Sequence, residues 1–234
     1  MFFVGHMTWA YVWAVVVWAL VSRGKRGGGL FVPAVLMLGV LPDIDLFFGN
    51  SGVIHRTITH SLVFWLVIFA PFLFVYRRRA IPYFAAVVQH FAFGDFIFGK
   101  VMILWPFSLS TFGFGVAMPS FLDTALETIG LLLAAGIVVF NGDLRRLVSV
   151  NKRNILMVLP FLALVTSMLF FAADSGIVPL IAYVWSRKVL TVLVLDHIIL
   201  AIFLAVSSVQ GFRAWGKRFA QTRPTGNGQE KNDV

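Results

Sequence analysis

Long apolar stretches, separated by short basic or polar segments, run through almost the whole chain. Stretches of roughly 18 or more apolar residues are typical of helices that cross a bilayer. The pattern predicts an all-α polytopic transmembrane helical bundle of about seven helices. Their ranges are 3–22, 29–42, 58–76, 80–98, 122–140, 154–173 and 188–211. The second helix is short for a full span because Pro42 limits its continuation.

The connecting segments divide the chain into three parts. The segment 99–121 is rich in Gly, Ser and Phe, which predicts a loop or a re-entrant piece, and 174–187 is a second connection with room for a short interfacial helix. We therefore expect a membrane-embedded half that carries the candidate site (1–121), additional transmembrane helices (122–220) and a disordered polar tail (221–234). The first helix has no charged leader and no small-residue cleavage site, so we interpret it as a retained helix.

Composition excludes a soluble globular protein. The chain has 234 residues, of which 59% are hydrophobic and 12% charged, with a mean hydropathy of +0.90. It has no cysteine, so disulfides and thiolate metal sites are excluded and any metal would need nitrogen and oxygen ligands. The net charge of +9 lies in short clusters between helices. These clusters favour anchoring beside anionic lipid over binding of nucleic acid.

The basic residues also predict an orientation. If seven helices alternate across the membrane, 15 of the 19 Lys and Arg residues lie on one side, in the clusters 23–26, 77–79, 145–153 and 213–231. The other side has only Arg56, Lys100, Arg187 and Lys188. By the positive-inside rule the N terminus is outside and the C terminus is cytoplasmic.

Residues that can bind metals gather at the predicted outer helix ends. Ionisable groups at membrane depth are energetically expensive, so residues of this kind are candidates for a functional site. The set consists of His6, Asp43, Asp45, His55, His60, His90 and Asp95.

The run that follows Pro42 brings two carboxylates together. In extended or turn backbone the side chains of Asp43 and Asp45 point the same way, so both can face one cavity. Two adjacent carboxylates raise each other's pKa unless a cation lies between them. The alternative is a solvated loop with a helix-capping aspartate.

The densest polar run of the first half is HRTITHS, residues 55–61. Thr57 or Thr59 is expected to cap the third helix and to place His60 in its first turn, where the helix N terminus keeps the imidazole neutral and able to bind metal. Arg56 is a candidate for holding an anionic oxygen of a substrate. The alternatives are structural roles for His55 and His60, and a lipid-phosphate or structural pair for Arg56.

The remaining candidates depend on local geometry. His90 and Asp95 are five residues apart and therefore about 140° apart on a regular helix, so they converge only if the helix loosens near Gly94. A hydrogen-bonded His–Asp pair without metal is the alternative, and His6 has weaker sequence support. Three polar residues of later helices are either partners that orient the ligands or members of structural pairs with Arg187 or Lys188: Glu127, Asp196 and His197.

Taken together, His6, PDID (42–45), HRTITHS (55–61), His90 with Gly94-Asp95, and LWPFS (104–108) resemble the YdjM-like family. That family is described as LexA-binding, inner-membrane-bound, metal-dependent hydrolases. The resemblance covers roughly residues 1–110, includes the order of the motifs, and implies a multi-helix membrane protein with a divalent-metal site. Nothing in the residues themselves supports LexA binding.

The sequence therefore favours a metal-dependent hydrolase in the cell (inner) membrane, with its site at the extracytoplasmic interface. The expected metal ligands are His6, Asp43, His60, His90 and Asp95, and the expected catalytic residues are Asp45, His55 and Arg56. Zn²⁺ or Mn²⁺ is the expected cofactor, and a lipid-like phosphoester is the expected substrate class. The partner is the lipid bilayer, with no nucleic acid. A transporter and a membrane protein with a purely structural metal are the alternatives.

Overall fold

The computed structural model describes residues 1–22, 29–47, 55–175 and 187–221, with backbone only for Phe47, 170–175 and 218–221. Within these ranges the chain is helical apart from loops and one antiparallel bridge between Val101 and Phe112. The α-helices are α1 (Phe3–Val21), α2 (Val32–Val40), α3 (Leu62–Tyr76), α4 (Ile81–Gln89), α5 (Asp95–Phe98), α6 (Phe121–Phe140), α7 (Asp143–Val148), α8 (Val158–Ser175) and α9 (Lys188–Gln221).

The prediction of an all-α polytopic bundle is confirmed. Five stretches are long and apolar enough to cross a membrane: Phe3–Val21, Ile81–Phe98, Phe121–Phe140, Lys152–Leu169 and Lys188–Lys217. The helices α2 and α3 are shorter, with 9 and 15 residues. The count of seven spans and the outside N terminus stay predictions.

Several boundaries differ from the predicted ones for local reasons. The predicted sixth helix begins with a 3-10 segment (Lys152–Met157) in which the Asn151 side chain accepts a hydrogen bond from Arg153 N–H. The last helix continues to Gln221, ten residues beyond the predicted end. The short helix α7 was not predicted; it follows Gly142, whose φ of 73° turns the chain after α6. The predicted tail after Gln221, and most of the 174–187 connection, lie outside the described residues.

The helix α1 is the centre of the bundle, because it packs against α2, α4 and α6. Its buried face includes Val4, Met7 and Tyr11. Gly39 lets α2 approach α1 closely, since a Cβ at this position would lie 2.6 Å from the backbone oxygen of His6. This close contact brings the last turn of α2 beside the first turns of α1.

The start of α3 differs from the sequence expectation. Ser61, and not Thr57 or Thr59, caps this helix: its Oγ accepts hydrogen bonds from the N–H groups of Val63 and Phe64. His60 therefore lies in a preceding 3-10 turn (Ile58–His60) and not in the first turn of α3. The expected cap was wrong because Thr59 Oγ1 donates its hydrogen bond to Asp45 instead.

The segment between α5 and α6 is irregular, as predicted, and it is held against the start of α3. The Ser61 hydroxyl donates to the Trp105 carbonyl at 2.6 Å, and Leu62 N–H donates to the Ile103 carbonyl at 2.9 Å. Met102 N–H donates to the Arg56 carbonyl at 3.1 Å. These bonds fix the loop beside the candidate site. Its predicted re-entrant position stays a prediction.

Candidate metal centre

Four of the predicted ligands meet at one buried point. Asp43, His60, His90 and Asp95 each offer one ligand atom, and these atoms lie within 4.8 Å of one another. All four residues are at most 6% exposed. Asp43 lies in the 3-10 segment that follows α2 (Leu41–Phe47), and His60 lies in the 3-10 turn before α3. His90 begins the segment that joins α4 to α5, and Asp95 is the first residue of α5.

The segment that joins α4 to α5 is a turn of π-helix, His90–Gly94. In it Asp95 N–H donates to the His90 carbonyl five residues earlier, so the two side chains are brought back to one face. The expected loosening of the helix near Gly94 is therefore confirmed as a π-turn. His90 Nε2 lies 3.9 Å from Asp95 Oδ2.

A backbone carbonyl fixes the tautomer of His90. His90 Nδ1 lies 2.7 Å from the Gly39 carbonyl oxygen. A carbonyl oxygen can only accept, so Nδ1 carries a proton, and Nε2 is the ring atom that faces the cluster and could bind a metal. His90 Nε2 lies 3.2 Å from His60 Nε2 and 3.3 Å from Asp43 Oδ1.

His60 lies between the two carboxylates of the PDID run. Its Nε2 is 3.5 Å from Asp43 Oδ1 and 3.0 Å from Asp95 Oδ2, whereas its Nδ1 is 3.5 Å from Asp45 Oδ2. The expectation that Asp43 and Asp45 face one cavity was wrong, because the 3-10 backbone turns them to opposite edges of this imidazole. Both carboxylates are buried, at 6% and 7% exposure, so neither is a solvated loop residue.

The surroundings of His60 also change its expected charge. Burial alone would lower the pKa of His60, but hydrogen bonding to Asp43, Asp45 and Asp95 outweighs it and raises that pKa well above the ordinary value. The expectation of an imidazole kept neutral by a helix N terminus was therefore wrong for the metal-free protein. A cation among these carboxylates would compete with this proton.

Asp45 joins His60 to His55. Its Oδ1 lies 2.9 Å from His55 Nδ1, and its Oδ2 accepts a hydrogen bond of 2.7 Å from Thr59 Oγ1. Burial alone would raise the pKa of Asp45, but hydrogen bonds from His55, His60 and Thr59 lower it below the usual range. Asp45, His55 and His60 form a second group with ligand spacing, on the other edge of the His60 ring.

Arg56 is paired with the cluster. Its Nε donates to Asp95 Oδ2 at 3.2 Å, and its side chain is 25% exposed. The backbone φ of Arg56 is 68°, a left-handed conformation that non-glycine residues rarely adopt. Its guanidinium packs on Gly99, where any Cβ would collide with it. The structure thus holds a cationic side chain at the rim of the cluster.

His6 lies beside the four-residue group. Its ring stacks on that of His90 with centroids 3.7 Å apart, and its Nε2 is 3.9 Å from Asp95 Oδ1. Gly94 allows this approach, since a Cβ there would lie 2.5 Å from His6 Cε1. His6 Nδ1 is buried and has no hydrogen-bond partner within the described chain. His6 as a direct ligand stays a prediction.

The three polar residues of later helices do not reach the cluster directly. Glu127 accepts hydrogen bonds from the N–H groups of Phe2 and Gly5, so it caps the start of α1 just before His6. Asp196 accepts from Thr128 Oγ1 at 2.6 Å, and His197 Nδ1 donates to the Leu193 carbonyl at 2.8 Å. Glu127 therefore acts on the site only through the position of α1.

Sequence reasoning missed the residues that support the ligands through the backbone. The Gly39 carbonyl orients His90, and Gln89 Nε2 donates to the His6 carbonyl at 2.9 Å. A backbone carbonyl gives no side-chain signal in a sequence. Gln89 did give one, as a lone amide in an apolar helix directly before His90.

The spacing of the donor atoms fits a small divalent cation. Atoms that bind at about 2.0–2.1 Å in a tetrahedron lie about 3.3 Å from one another. Five of the six separations among the two Nε2 atoms, Asp43 Oδ1 and Asp95 Oδ2 are 3.0, 3.2, 3.3, 3.5 and 3.9 Å. The ligand atoms of Asp43 and Asp95 lie within 4.8 Å of each other. With neutral imidazoles, three carboxylates against one guanidinium leave a local charge of −2 that a divalent cation neutralises.

The fold and the cluster define a polytopic helical membrane protein with a buried His/Asp group that could hold a metal ion. A family model described as YdjM inner membrane protein matches residues 1–178, and the chain belongs to this family. It is a multi-pass protein of the inner membrane. No curated protein and no solved structure matches the chain.

Proposed function

We propose that the protein is a metal-dependent hydrolase whose site opens at the extracytoplasmic membrane interface. The observation that carries the proposal is the group of four buried donor atoms within 4.8 Å of one another. Asp43, His60, His90 and Asp95 would hold a Zn²⁺ or Mn²⁺ ion, with His6 as a further ligand. A bound divalent cation supplies Lewis-acid chemistry, which lowers the pKa of a water molecule and polarises the bond to be cleaved.

The groups around the cluster supply the remaining chemistry. His55 is 18% exposed and its Nδ1 is held by Asp45, so Nε2 is the atom that would accept a proton from the attacking water. Asp45 orients both His55 and His60, as carboxylates commonly do for ligating histidines. Arg56, held over Gly99 at the rim, would bind an anionic oxygen of the substrate.

A lipid-like phosphoester is the substrate class that the surroundings favour. The loop beside the site exposes Phe107 at 83% and Phe114 at 74%, and the first residue of α6, Phe121, is 79% exposed. Exposed apolar side chains grouped on one surface are typical of a membrane-contacting face, where a lipid-like substrate would arrive. A substrate that enters through this region would bring its phosphate to the level of Arg56.

Metal analysis of the purified chain tests the site. The wild type and the His197→Ala control, which removes a buried histidine away from the cluster, are expected to retain about one equivalent of metal. His60→Ala and Asp43→Ala are each expected to lose it, because each removes one of the four donors. If both variants still contain about one equivalent of metal, these residues are not the metal ligands and the site assignment is wrong.

Turnover tests the reaction class separately. The metal-loaded protein in mixed micelles is assayed against phosphoester, ester and amide substrates, with lipid phosphoesters among them. Hydrolysis that chelation stops, and that His55→Ala slows while metal content is retained, supports the proposal. Metal-dependent melting without turnover on any of these substrates would identify a purely structural metal and contradict the hydrolase.

A further inference from the structure

A second feature of the molecule is an apolar groove of about 820 Å³ between α3 and the helices α1, α2 and α4. One wall is a stripe of side chains on α3, Trp65, Phe69, Phe72 and Tyr76, at the spacing of one helix face. The opposite wall includes Leu38 and Leu41 of the α2 region. The groove is separate from the four donor residues, none of which lines it.

The groove is long enough for one hydrocarbon chain. From Trp65 to Tyr76 the helix α3 rises about 16 Å, and half of a bilayer's hydrocarbon core is about 15 Å thick. Most of α3 faces outward, since Val67 is 68% and Phe74 is 85% exposed, whereas Trp65 and Phe69 at the groove are 5% and 6% exposed. At membrane depth lipid tails surround such a helix, so a hydrocarbon chain is the natural occupant.

Charge is found at one end of the groove. This end is lined by Tyr76, the last residue of α3, and by Arg79, which follows the helix. None of the described lining residues is acidic. The other end, at Leu41 and Trp65, is lined by apolar and indole side chains. A ligand with an apolar chain and an anionic head would therefore place its head at Arg79.

We propose that this groove is a binding site for one anionic phospholipid, with an acyl chain along the α3 stripe and its phosphate paired with the Arg79 guanidinium. A basic residue that contacts an anionic headgroup directly contributes about a fivefold preference, and Arg79 is the basic residue among the described residues that line the groove. This site does not depend on the metal centre or on hydrolysis. Its ligand belongs to the leaflet on the side of Arg77–Arg79, at the opposite end of α3 from His60.

Quenching of tryptophan by brominated lipid chains tests the proposal, because Trp18 and Trp65 line the groove. The full chain is reconstituted in phosphatidylcholine with a fixed minority of phosphatidylglycerol that carries bromine on its acyl chains. We expect quenching that corresponds to about a fivefold local enrichment over the bulk fraction. The contribution of Trp65 in the groove is the fraction of this quenching that is lost in the Trp65→Phe variant. Brominated phosphatidylcholine at the same fraction is expected to quench only in proportion to its amount.

Two matched variants distinguish a specific lipid-binding site from non-specific electrostatic attraction of anionic lipid. Arg79→Gln is expected to reduce the enrichment to the bulk value. Arg78→Gln removes the same charge one residue away, at a position outside the groove lining, and is expected to keep it. Equal losses in the two variants, or no enrichment in the wild type, would overturn the proposal.

Discussion

His90 and Asp95 point into the same cluster although they are five residues apart, because the chain between them forms one turn of π-helix. On a regular α-helix the same spacing would separate the two side chains by about 140°. The extra residue in this turn is therefore what makes both residues available to one ion. π-turns of this kind are frequent at functional sites.

Deletion of Ala92 tests this relationship. Ala92 is the exposed residue of the π-turn, and its removal would leave His90 and the aspartate four apart on a regular helix, again on one face. We expect the variant to keep its metal. Deletion of Val87, in the regular part of α4, shifts His90 relative to the rest of the bundle and is expected to abolish binding. Metal analysis of the two purified variants checks the prediction, which fails if both deletions have the same effect.

Gly94→Ala tests the contact with α1. The new Cβ would lie 2.5 Å from His6 Cε1, so the His6 ring must move away from its stack on His90. We expect a 10- to 100-fold loss of metal affinity, which is typical when the support of a ligand is disturbed. Gly136→Ala is the control, since no atom lies within 4 Å of a Cβ there. Titration with Zn²⁺ measures both, and an unchanged affinity in Gly94→Ala would show that His6 does not matter.

Asp45→Asn tests the carboxylate behind His60. The amide keeps the shape but loses the charge that faces His60 Nδ1 and His55 Nδ1. We expect metal affinity to fall by about 10- to 100-fold, with metal still bound when it is in excess. Asp196→Asn, at a carboxylate bonded to Thr128, should leave affinity unchanged. Complete loss of binding even at saturating metal would instead make Asp45 a direct ligand.

Arg56→Gln separates substrate binding from metal binding. The change removes the cation beside Asp95, so the cluster becomes more negative and should retain its metal. A charged hydrogen bond is worth about 1.5–3 kcal/mol, so kcat/KM for an anionic substrate should fall by about 10- to 100-fold. Lys100→Gln, at an exposed position in the following loop, is the control. Loss of metal in Arg56→Gln would contradict this separation and would show that Arg56 supports the metal ligands.

The sequence predicted the helical class and the metal-binding residue types because both depend on local pattern. Apolar runs identify helices, and a His or Asp in such a run is conspicuous. The geometry of the PDID run was not predictable, because the choice between extended and 3-10 backbone depends on packing around His60. The cap of α3 was misassigned for a similar reason: Thr59 and Ser61 can both cap a helix, and the bond from Thr59 to Asp45 is a contact distant in sequence.

The four donor residues come from three parts of the chain: the segment after α2, the turn before α3, and the π-turn after α4 with the first residue of α5. The chain has no cysteine, so no disulfide can tie these segments together. A cation bound by Asp43, His60, His90 and Asp95 would be a cross-link between the ends of α2, α3 and α4. Without an ion, His60 links Asp43 to Asp95 and Arg56 pairs with Asp95, and a bound cation would also stabilise the packing of this end of the bundle.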